Sequence, residues 1–272
     1  YHIDALSARV RGIYTHTVPV DAYRGAGRPE AAYVLERLVD ACARKLGMAP
    51  EELRALNFVK PEQMPYHTHT DRHYDVGEFE GAMRACLKKA DRAGFERRLE
   101  DARARGKIRG FGFASYIECT AWNDSETGSL TLEKNGDFTL TIGTQSNGQG
   151  HETAYAQTVS QYLDVPLERI AVVQGDTDRV ATGFGTGGSR SIPIGAVMVS
   201  RASEKLVIAL KELAADKLEA AVADLEAVNG AIRIAGTDRA LSYEEIAALP
   251  GATREKLRAV EGYAPPHATY PN

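Results

Sequence analysis

The chain has 272 residues, and its 33 lysines and arginines against 37 aspartates and glutamates give a formal net charge of −4. Nucleic-acid binding is therefore not expected, because it needs a basic surplus or a basic stripe. No apolar run approaches the ~20 residues that a membrane-spanning helix needs, so no membrane span is expected. No basic and apolar leader opens the chain, and its three cysteines form no C-x-x-C pair. We therefore expect a cytoplasmic protein without structural disulfides or a thiolate zinc site.

The first part of the chain predicts strands followed by helices. Residues 1–20 mix apolar positions with Thr and Val, which predicts one or two strands. A helix is predicted from Pro29 to Leu46, because proline suits a first helical turn and Gly47 suits the position just past a helix end. Its apolar residues share one face and are expected to be buried there: Ala31, Val34, Leu35, Leu38, Val39, Cys42 and Leu46. A short helix over 50–56 follows.

The rest of the chain alternates helical and strand patterns, with hairpins between them. In chain order we predict a helix over 79–105, a strand over 108–118, a hairpin around Asn135-Gly136, a helix over 151–163, a strand over 169–174, a long helix over 191–226 and a strand over 231–235. Ser242 and Glu245 have the spacing of a capping box. Cys86, like Cys42, is expected in the core. The pattern predicts an α+β fold in which helices flank mixed sheets.

Three glycine-rich segments precede predicted helices, at 22–28, 143–151 and 183–191. Backbone N–H groups at a helix N-terminus bind anions, above all phosphates, and glycine allows close approach. None of the segments ends in the Gly-Lys-Ser/Thr of a Walker loop, and none has the G-x-G-x-x-G spacing of a dinucleotide fingerprint. The alternative interpretation is that the glycines serve tight turns only.

Polar side chains inside these segments favour the ligand-binding interpretation. Four can both donate and accept hydrogen bonds and three carry a forked positive charge: Gln145, Asn147, Gln149 and Ser189, and Arg24, Arg28 and Arg190. This mixture suits a large polar ligand that combines phosphates with the amide-like edges of a heterocycle.

Other candidate functional residues leave alternatives open. One loop holds side chains of the types that bind zinc or iron, namely His67, His69, Asp71 and His73. Their i, i+2 spacing serves a metal only if the loop is extended, so a solvated loop is the alternative. His151 either contacts a ligand or packs at its helix start. Glu118 is either a general base or a salt-bridged surface carboxylate.

Two of the glycine-rich runs are specific in sequence: Ala-Tyr-Arg-Gly-Ala-Gly-Arg at 22–28 and Gly-Gln-Gly-His-Glu-Thr at 148–153. With them the chain resembles the large, molybdopterin-binding subunit of the molybdenum hydroxylases. This is the family of xanthine dehydrogenase, aldehyde oxidase and aerobic carbon monoxide dehydrogenase. The resemblance runs through essentially the whole chain, at 22–30, 53–58, 65–81, 143–157, 174–178 and 185–191.

The resemblance implies a cofactor, a reaction and partners. The cofactor would be molybdenum held by molybdopterin, in bacteria commonly as the molybdopterin cytosine dinucleotide. The reaction would oxidise an aldehyde, a purine or another N-heterocycle with water as the oxygen source. Electrons would leave through an iron–sulfur (FeS) small subunit and an FAD-binding medium subunit, in a dimer of heterotrimers. The fold would be that of the molybdenum-cofactor-binding domain.

The resemblance also implies site residues, all of them cofactor-binding. A loop near the metal on the substrate side would comprise Arg24, Gly25 and Ala26. The cradle of the pterin and its phosphates would comprise Gly148, Gln149, Gly150, His151, Thr186, Gly187, Gly188, Ser189, Arg190 and Ser191. No residue of the chain is expected to ligate a metal directly.

The chain departs from the family pattern at two points. Gly25 stands where the copper–molybdenum carbon monoxide dehydrogenases hold copper with a Cys, which argues against copper-dependent oxidation of carbon monoxide. The family's catalytic Glu, in a Gly-Glu segment near the C-terminus, has no counterpart here, so no catalytic residue is assigned.

We therefore expect an internal fragment of the subunit that is inactive when isolated. Residues 1–78 would end the first molybdopterin-binding subdomain and include a linker, and 79–272 would begin the second. The alternatives are a non-catalytic nucleotide- or phosphate-binding module and a metallohydrolase built on the histidine loop.

Overall fold

A computed structural model describes residues 1–121, 125–266 and 268. The described chain divides into two compact units, Tyr1–Glu118 and Cys119–Ala268, called here the first and second units. The division after Glu118 is one of contacts within the chain and does not test the expected subdomain boundary after residue 78, which stays a prediction.

The first unit is mainly helical. It contains α1 (Arg28–Leu46), α2 (Pro50–Asn57), the short strands β1 (Tyr66–His67) and β2 (His73–Tyr74), α3 (Phe79–Lys89) and α4 (Phe95–Ala104). β1 and β2 pair antiparallel. A small apolar cluster joins α2 to α3 through Ala55, Phe58, Met83 and Leu87.

A buried arginine organises the first unit. The side chain of Arg54 on α2 is fully buried; its Nε donates to Glu36 Oε2 at 2.8 Å, and its guanidinium also donates to Asp40 Oδ1 at 3.0 Å. The backbone N–H of Ser115 donates to Glu36 Oε2 at 2.7 Å, and the ring of Phe113 lies 4.5 Å from the guanidinium carbon. This network ties α1, α2 and the segment after α4 together.

The apolar face predicted for α1 is not buried. The helix begins at Arg28, one residue before the predicted start, and ends before Gly47 as predicted. Val34 is nevertheless 66% and Leu38 58% exposed. Cys42 and Cys86 are also exposed, so their prediction as core residues is wrong. The face of α1 that packs instead carries Glu36 and Ala43. The inward side of the helix thus carries the carboxylate that pairs with Arg54.

Three other predictions for the first unit are corrected. Residues 1–20 and 108–118, predicted as strands, form no strand in the described chain. A strand needs a hydrogen-bonded neighbour, and these stretches are paired with none there. The helix predicted over 79–105 is two helices, because Asp91 adopts a left-handed φ of 48° and its carboxylate accepts from the Gly94 N–H.

The second unit builds two sheets around a long helix. Its elements are β3 (Glu126–Leu132), β4 (Phe138–Ile142), α5 (His151–Leu163), β5 (Ile170–Val173), a π-helical turn (Ser191–Ala196), α6 (Val197–Leu218), β6 (Leu225–Val228), β7 (Ala231–Ile234), β8 (Ala240–Ser242), α7 (Tyr243–Ala247) and β9 (Arg258–Tyr263). One sheet has the order β5-β4-β3-β9 and the other the order β6-β7-β8. Among the described strand pairs of these two sheets, only β4–β5 is parallel.

The core of the second unit lies between these sheets and the two long helices. Alternate residues of β3 and β4 point into it, including Leu130, Leu140 and Ile142, and meet apolar residues of α5 and α6 such as Val159 and Leu206. This period-two burial is typical of a sheet that is covered on one face. The observed mixture of helices and sheets confirms the predicted α+β fold class.

Local signals predicted several elements of the second unit correctly. The hairpin forms around Asn135-Gly136, with Leu132 opposite Phe138. α5 has the predicted bounds. Ser242 and Glu245 form the capping box, in which the Ser242 hydroxyl accepts from the Glu245 N–H. Each of these signals depends on only a few neighbouring residues, so the sequence alone predicts them.

The long helix predicted over 191–226 is too long. It begins as a π-helical turn, continues as α6 and ends at Leu218, because Glu219 adopts a left-handed φ of 52°. Leu225 then enters the core as the first residue of β6. In the described part of the chain, no helix is both long enough and apolar enough to cross a membrane.

The buried network predicts that Arg54→Met destabilises the first unit. Removing Arg54 leaves the buried Glu36 carboxylate without its charge partner, which costs about 3–5 kcal/mol for a buried ion pair. The loss in the free energy of unfolding is measured by urea denaturation, with hydrogen exchange in peptides from α1 and α2 as the readout.

Arg84→Met is the matched control, because Arg84 pairs with Glu52 and Glu80 at the surface. Surface pairs contribute little, so this variant should keep nearly wild-type stability. Equal stabilities of the two variants would contradict the role given to Arg54.

Candidate functional site

The loop over 143–151 carries the chain from β4 into α5. Gly148 and Gly150 have φ of 100° and 78°, a backbone conformation that favours glycine. A Cβ built on either would meet no atom within 4 Å, so space beside the loop is open. The loop ends at His151, which is only 2% exposed at the start of α5.

The loop over 183–191 leads into the π-helical turn and touches the first loop backbone to backbone. A Cβ on Gly183 would lie 2.5 Å from the Gly143 Cα, and one on Gly143 would lie 2.5 Å from the Gly183 Cα. The Gly185 N–H donates to the Gly143 carbonyl at 3.2 Å. Glycine is required at 143 and 183 because any side chain would force the two loops apart.

A directional chain of hydrogen bonds holds the two loops together. The Tyr155 hydroxyl donates to the Ser191 carbonyl at 2.9 Å and lies 2.9 Å from Thr144 Oγ1. Because a carbonyl only accepts, the Tyr155 proton points to Ser191, and Thr144 must donate to Tyr155. Gln174 Nε2 in turn donates to Thr144 Oγ1 at 2.9 Å. Burial raises the pKa of Tyr155, which keeps the hydroxyl protonated and able to donate.

Two buried polar atoms beside this chain have no hydrogen-bond partner among the described residues. They are Nε2 of His151 and Oε1 of Gln174. The two side chains are adjacent, with Gln174 Nε2 3.3 Å from His151 Nδ1. Buried polar atoms normally have partners, so both atoms are available to a ligand or to ordered water.

Arg190 is built into the structure of its own loop. It is 3% exposed, with its guanidinium 3.4 Å from Glu126 Oε2, and it donates to the Ser125 carbonyl. The ring of Phe184 lies 5.5 Å from the guanidinium carbon. These contacts anchor the start of the π-helical turn to β3. A ligand contact of Arg190 stays a prediction.

The structure brings most of the predicted cradle residues into these two loops. Thr186 Oγ1 lies 3.1 Å from Ser191 Oγ, and Gln149 Oε1 accepts from the Asn147 N–H at 2.5 Å. The side-chain oxygen of Gln149 therefore stabilises the conformation of its own loop. The binding roles of the predicted residues Gly148, Gln149, Gly150, His151, Thr186, Gly187, Gly188, Ser189, Arg190 and Ser191 stay predictions.

The remaining predicted site residues, Arg24, Gly25 and Ala26, form a turn in the first unit. The Ala26 N–H donates to the Tyr23 carbonyl at 2.6 Å, and Gly25 and Ala26 both have positive φ. The turn leads directly into α1. Arg28 pairs with Glu118 at 2.7 Å, which favours the salt-bridged interpretation of Glu118 over a general base.

Three residues of the hydrogen-bond chain were not among the predicted site residues: Thr144, Tyr155 and Gln174. Gln174 follows β5 directly, and a polar residue at a strand end is a usable signal. Tyr155 carried no such signal, because an aromatic residue on the apolar face of a helix predicts packing alone. The Ser191 carbonyl that accepts from its hydroxyl lies 36 residues away along the chain.

The histidine loop is a small hairpin. His67 Nε2 lies 3.0 Å from His73 Nδ1 across the β1–β2 pair. The described residues contain no group of three or more His, Cys, Asp or Glu side chains placed to hold a metal ion. The metallohydrolase alternative has no structural support.

Comparison with family models decides the family. A model described as a molybdopterin cofactor-binding domain matches residues 85–272, and a second with the same description matches residues 1–58. The chain belongs to the molybdopterin cofactor-binding domain family. Together these matches confirm the resemblance found in the sequence.

Relatives of this family cover the whole chain. It is 32% identical to the carbon monoxide dehydrogenase large chain of Hydrogenophaga pseudoflava, over 100% of this chain and 36% of the relative. It is 30% identical to the nicotine 6-hydroxylase large subunit of Paenarthrobacter nicotinovorans, over 87% of this chain and 30% of the relative. The chain thus spans about a third of the length of these relatives.

Solved structures share the fold. Quinoline 2-oxidoreductase from Pseudomonas putida 86 superposes with a TM-score of 0.77 and 30% identity, over 93% of this chain and 35% of that chain. Carbon monoxide dehydrogenase from Oligotropha carboxidovorans gives a TM-score of 0.72 and 30% identity, over 89% of this chain and 33% of that chain. The fold is therefore that of molybdenum-cofactor-binding domains.

The two loops of the second unit fit a molybdopterin. His151 Nε2 and Gln174 Oε1 offer hydrogen bonds to the edge of a heterocycle. The open space beside Gly150 and Gly187 would admit a phosphate close to backbone N–H groups at the start of α5 and before the π-helical turn.

The hydrogen-bond chain predicts that Tyr155→Phe loosens the two loops. It removes the side-chain donor to the Ser191 carbonyl and leaves the buried Thr144 hydroxyl without its acceptor, which costs about 1–3 kcal/mol for an unsatisfied buried group. We expect this loss in the free energy of unfolding of the second unit and faster hydrogen exchange over 183–191. Tyr162→Phe, on the same helix, is the matched control and should change the stability by under ~0.5 kcal/mol. Equal exchange in both variants would show that the hydroxyl does not hold the loops.

Proposed function

We propose that this chain is the part of a molybdenum hydroxylase large subunit that holds the molybdopterin between the 143–151 and 183–191 loops. The observation that carries the proposal is the buried, unsatisfied Nε2 of His151, beside two loops that Tyr155 locks together. A loop that served only as a turn would have no reason to bury an unpaired ring nitrogen, because its desolvation is costly.

Each part of the site would contribute a different interaction. The pterin edge would meet Gln149 and His151, while phosphates would meet backbone N–H groups near Gly150, Gly187 and Gly188. In the cytosine dinucleotide form, the amide-type edge of the base would add hydrogen bonds to polar side chains of the loops. The Arg24–Ala26 turn would lie on the substrate side.

The cofactor, when bound, supplies a redox-active molybdenum that accepts two electrons while water provides the oxygen. The chain's own contribution is to bind and orient. Its buried hydroxyl chain fixes the loops before binding, which lowers the ordering cost of association. Its paired loops also keep bulk water away from the polar atoms that they bury.

The substrate class would be an aldehyde, a purine or another N-heterocycle. Support comes from relatives whose names state nicotine 6-hydroxylase and aldehyde oxidase, and from the quinoline 2-oxidoreductase structure. Gly25, in place of a copper-binding Cys, supports organic substrates over copper-dependent oxidation of carbon monoxide.

The partners would be an iron–sulfur small subunit and an FAD-binding medium subunit, in a cytoplasmic dimer of heterotrimers. Relatives described as a large chain, a large subunit and a subunit gamma of a complex support a multi-subunit assembly. Electrons from the molybdenum would leave through these partners.

Gly187→Ala tests whether the cofactor approaches the backbone of the 183–191 loop. An alanine Cβ would meet no protein atom within 4 Å, and Gly187 is not among the glycines with positive φ, so folding should be unaffected. A cofactor in contact there would be displaced. We expect the molybdenum content of the complete subunit, purified from cells that make the cofactor, to fall about tenfold, the equivalent of ~1.4 kcal/mol.

Gly110→Ala is the matched control, because its Cβ also meets open space and its backbone is likewise not left-handed. Gly110 lies in the first unit and belongs to neither loop, and its variant should keep the wild-type molybdenum content. Full molybdenum content in Gly187→Ala would refute the proposed contact. Wild-type protein that carries nucleotide but no molybdenum would favour the non-catalytic nucleotide-binding module.

A further inference from the structure

The two ring nitrogens of His151 differ in their surroundings: one has a polar neighbour among the described residues and the other has no hydrogen-bond partner there. Its Nδ1 lies 3.3 Å from Gln174 Nε2, while its Nε2 is buried with no partner among the described residues. Which nitrogen carries the proton decides whether Nε2 offers a donor or an acceptor to a ligand.

The orientation of the Gln174 amide follows from Thr144. The amide nitrogen lies 2.7 Å from the Thr144 carbonyl oxygen, which can only accept. Turning the amide over would bring two acceptor oxygens together at that distance. The Gln174 nitrogen therefore faces both Thr144 and His151, and the side that His151 meets is a donor.

The tautomer of His151 follows from this orientation. The two hydrogens of Gln174 Nε2 are shared among the Thr144 carbonyl, Thr144 Oγ1 and His151 Nδ1. An amide nitrogen cannot accept from an Nδ1–H, so Nδ1 is the unprotonated nitrogen and the single proton of the neutral ring resides on Nε2. The buried Nε2 is then an N–H donor, and the group that it meets must be an acceptor. The contacts of Gln174 with Thr144 and His151 thus require the ligand to present a hydrogen-bond acceptor to Nε2.

We propose that Gln174 is a positioning residue that holds His151 in the Nε2–H tautomer, so that His151 donates to an acceptor atom of the bound cofactor. The identity of that ligand rests on the proposed function, whereas the tautomer does not. Gln174 acts through His151, and its amide nitrogen determines which hydrogen bond the histidine can make.

Nitrogen-15 NMR of the histidine-labelled full chain at about pH 8, where free imidazole is neutral, tests the tautomer. The His151 resonances are identified by their loss in His151→Phe. We expect an unprotonated Nδ1 and a protonated Nε2 in the wild type. A protonated Nδ1 would overturn the proposal.

Gln174→Glu replaces the donor nitrogen with a carboxylate oxygen, which should accept from Nδ1–H and reverse the tautomer. Gln174→Met removes the donor without adding an acceptor, and it should give a mixture of tautomers even if the Glu variant folds poorly. Gln157→Glu is the control, because Gln157 is exposed on α5 and undergoes the same charge change. A wild-type pattern in Gln174→Met would overturn the proposal.

The molybdenum content of the complete subunit tests the donation to the cofactor. In Gln174→Glu, Nε2 would present a lone pair to an acceptor, so we expect at least about tenfold less molybdenum than in Gln157→Glu. A reversed tautomer with unchanged molybdenum would overturn the donation. A wild-type protein without molybdenum, but with the expected tautomer, would refute the proposed function and leave the positioning role of Gln174 intact.

Discussion

The hydroxyl of Tyr155 is the interaction on which the site depends. It donates to the carbonyl of Ser191 and accepts from Thr144, so one buried oxygen links the loop after β4 to the start of the π-helical turn. Gly143 and Gly183 make this link possible, because side chains there would separate the loops. Buried hydrogen bonds are costly to leave unmade, so this arrangement fixes the site before a ligand arrives.

The same burial leaves two polar atoms of the site without hydrogen-bond partners among the described residues. His151 Nε2 and Gln174 Oε1 are withdrawn from solvent without a partner among the described residues, and each gains a hydrogen bond when a ligand or water enters. A ligand that satisfies them stabilises the folded unit by mass action. Family membership and this geometry point to the same ligand, since a molybdopterin combines phosphates with a heterocyclic edge. If the cofactor binds there, its loading should therefore raise the stability of the second unit.

Features encoded within a few residues were legible in the sequence. Pro29 predicted the start of α1 to within one residue, Gly47 predicted its end, and Asn135-Gly136 predicted the hairpin. Features that depend on distant neighbours were not. The apolar Val34 is exposed while the charged Arg54 is fully buried, because burial depends on which surfaces meet and which charges pair. The two loops were singled out through their glycines and the family resemblance, and their binding role stays a prediction. Their link through Tyr155 was not predicted, since its partner is 36 residues away.

Hydrogen–deuterium exchange of the complete subunit, with and without its cofactor, tests the central claim most directly. If the two loops hold the molybdopterin as one preorganised unit, loading slows exchange together over 143–151 and 183–191. The antiparallel sheet of β6, β7 and β8 lies outside the loops and should exchange at an unchanged rate. Protection of only one loop, or of neither, would contradict the account.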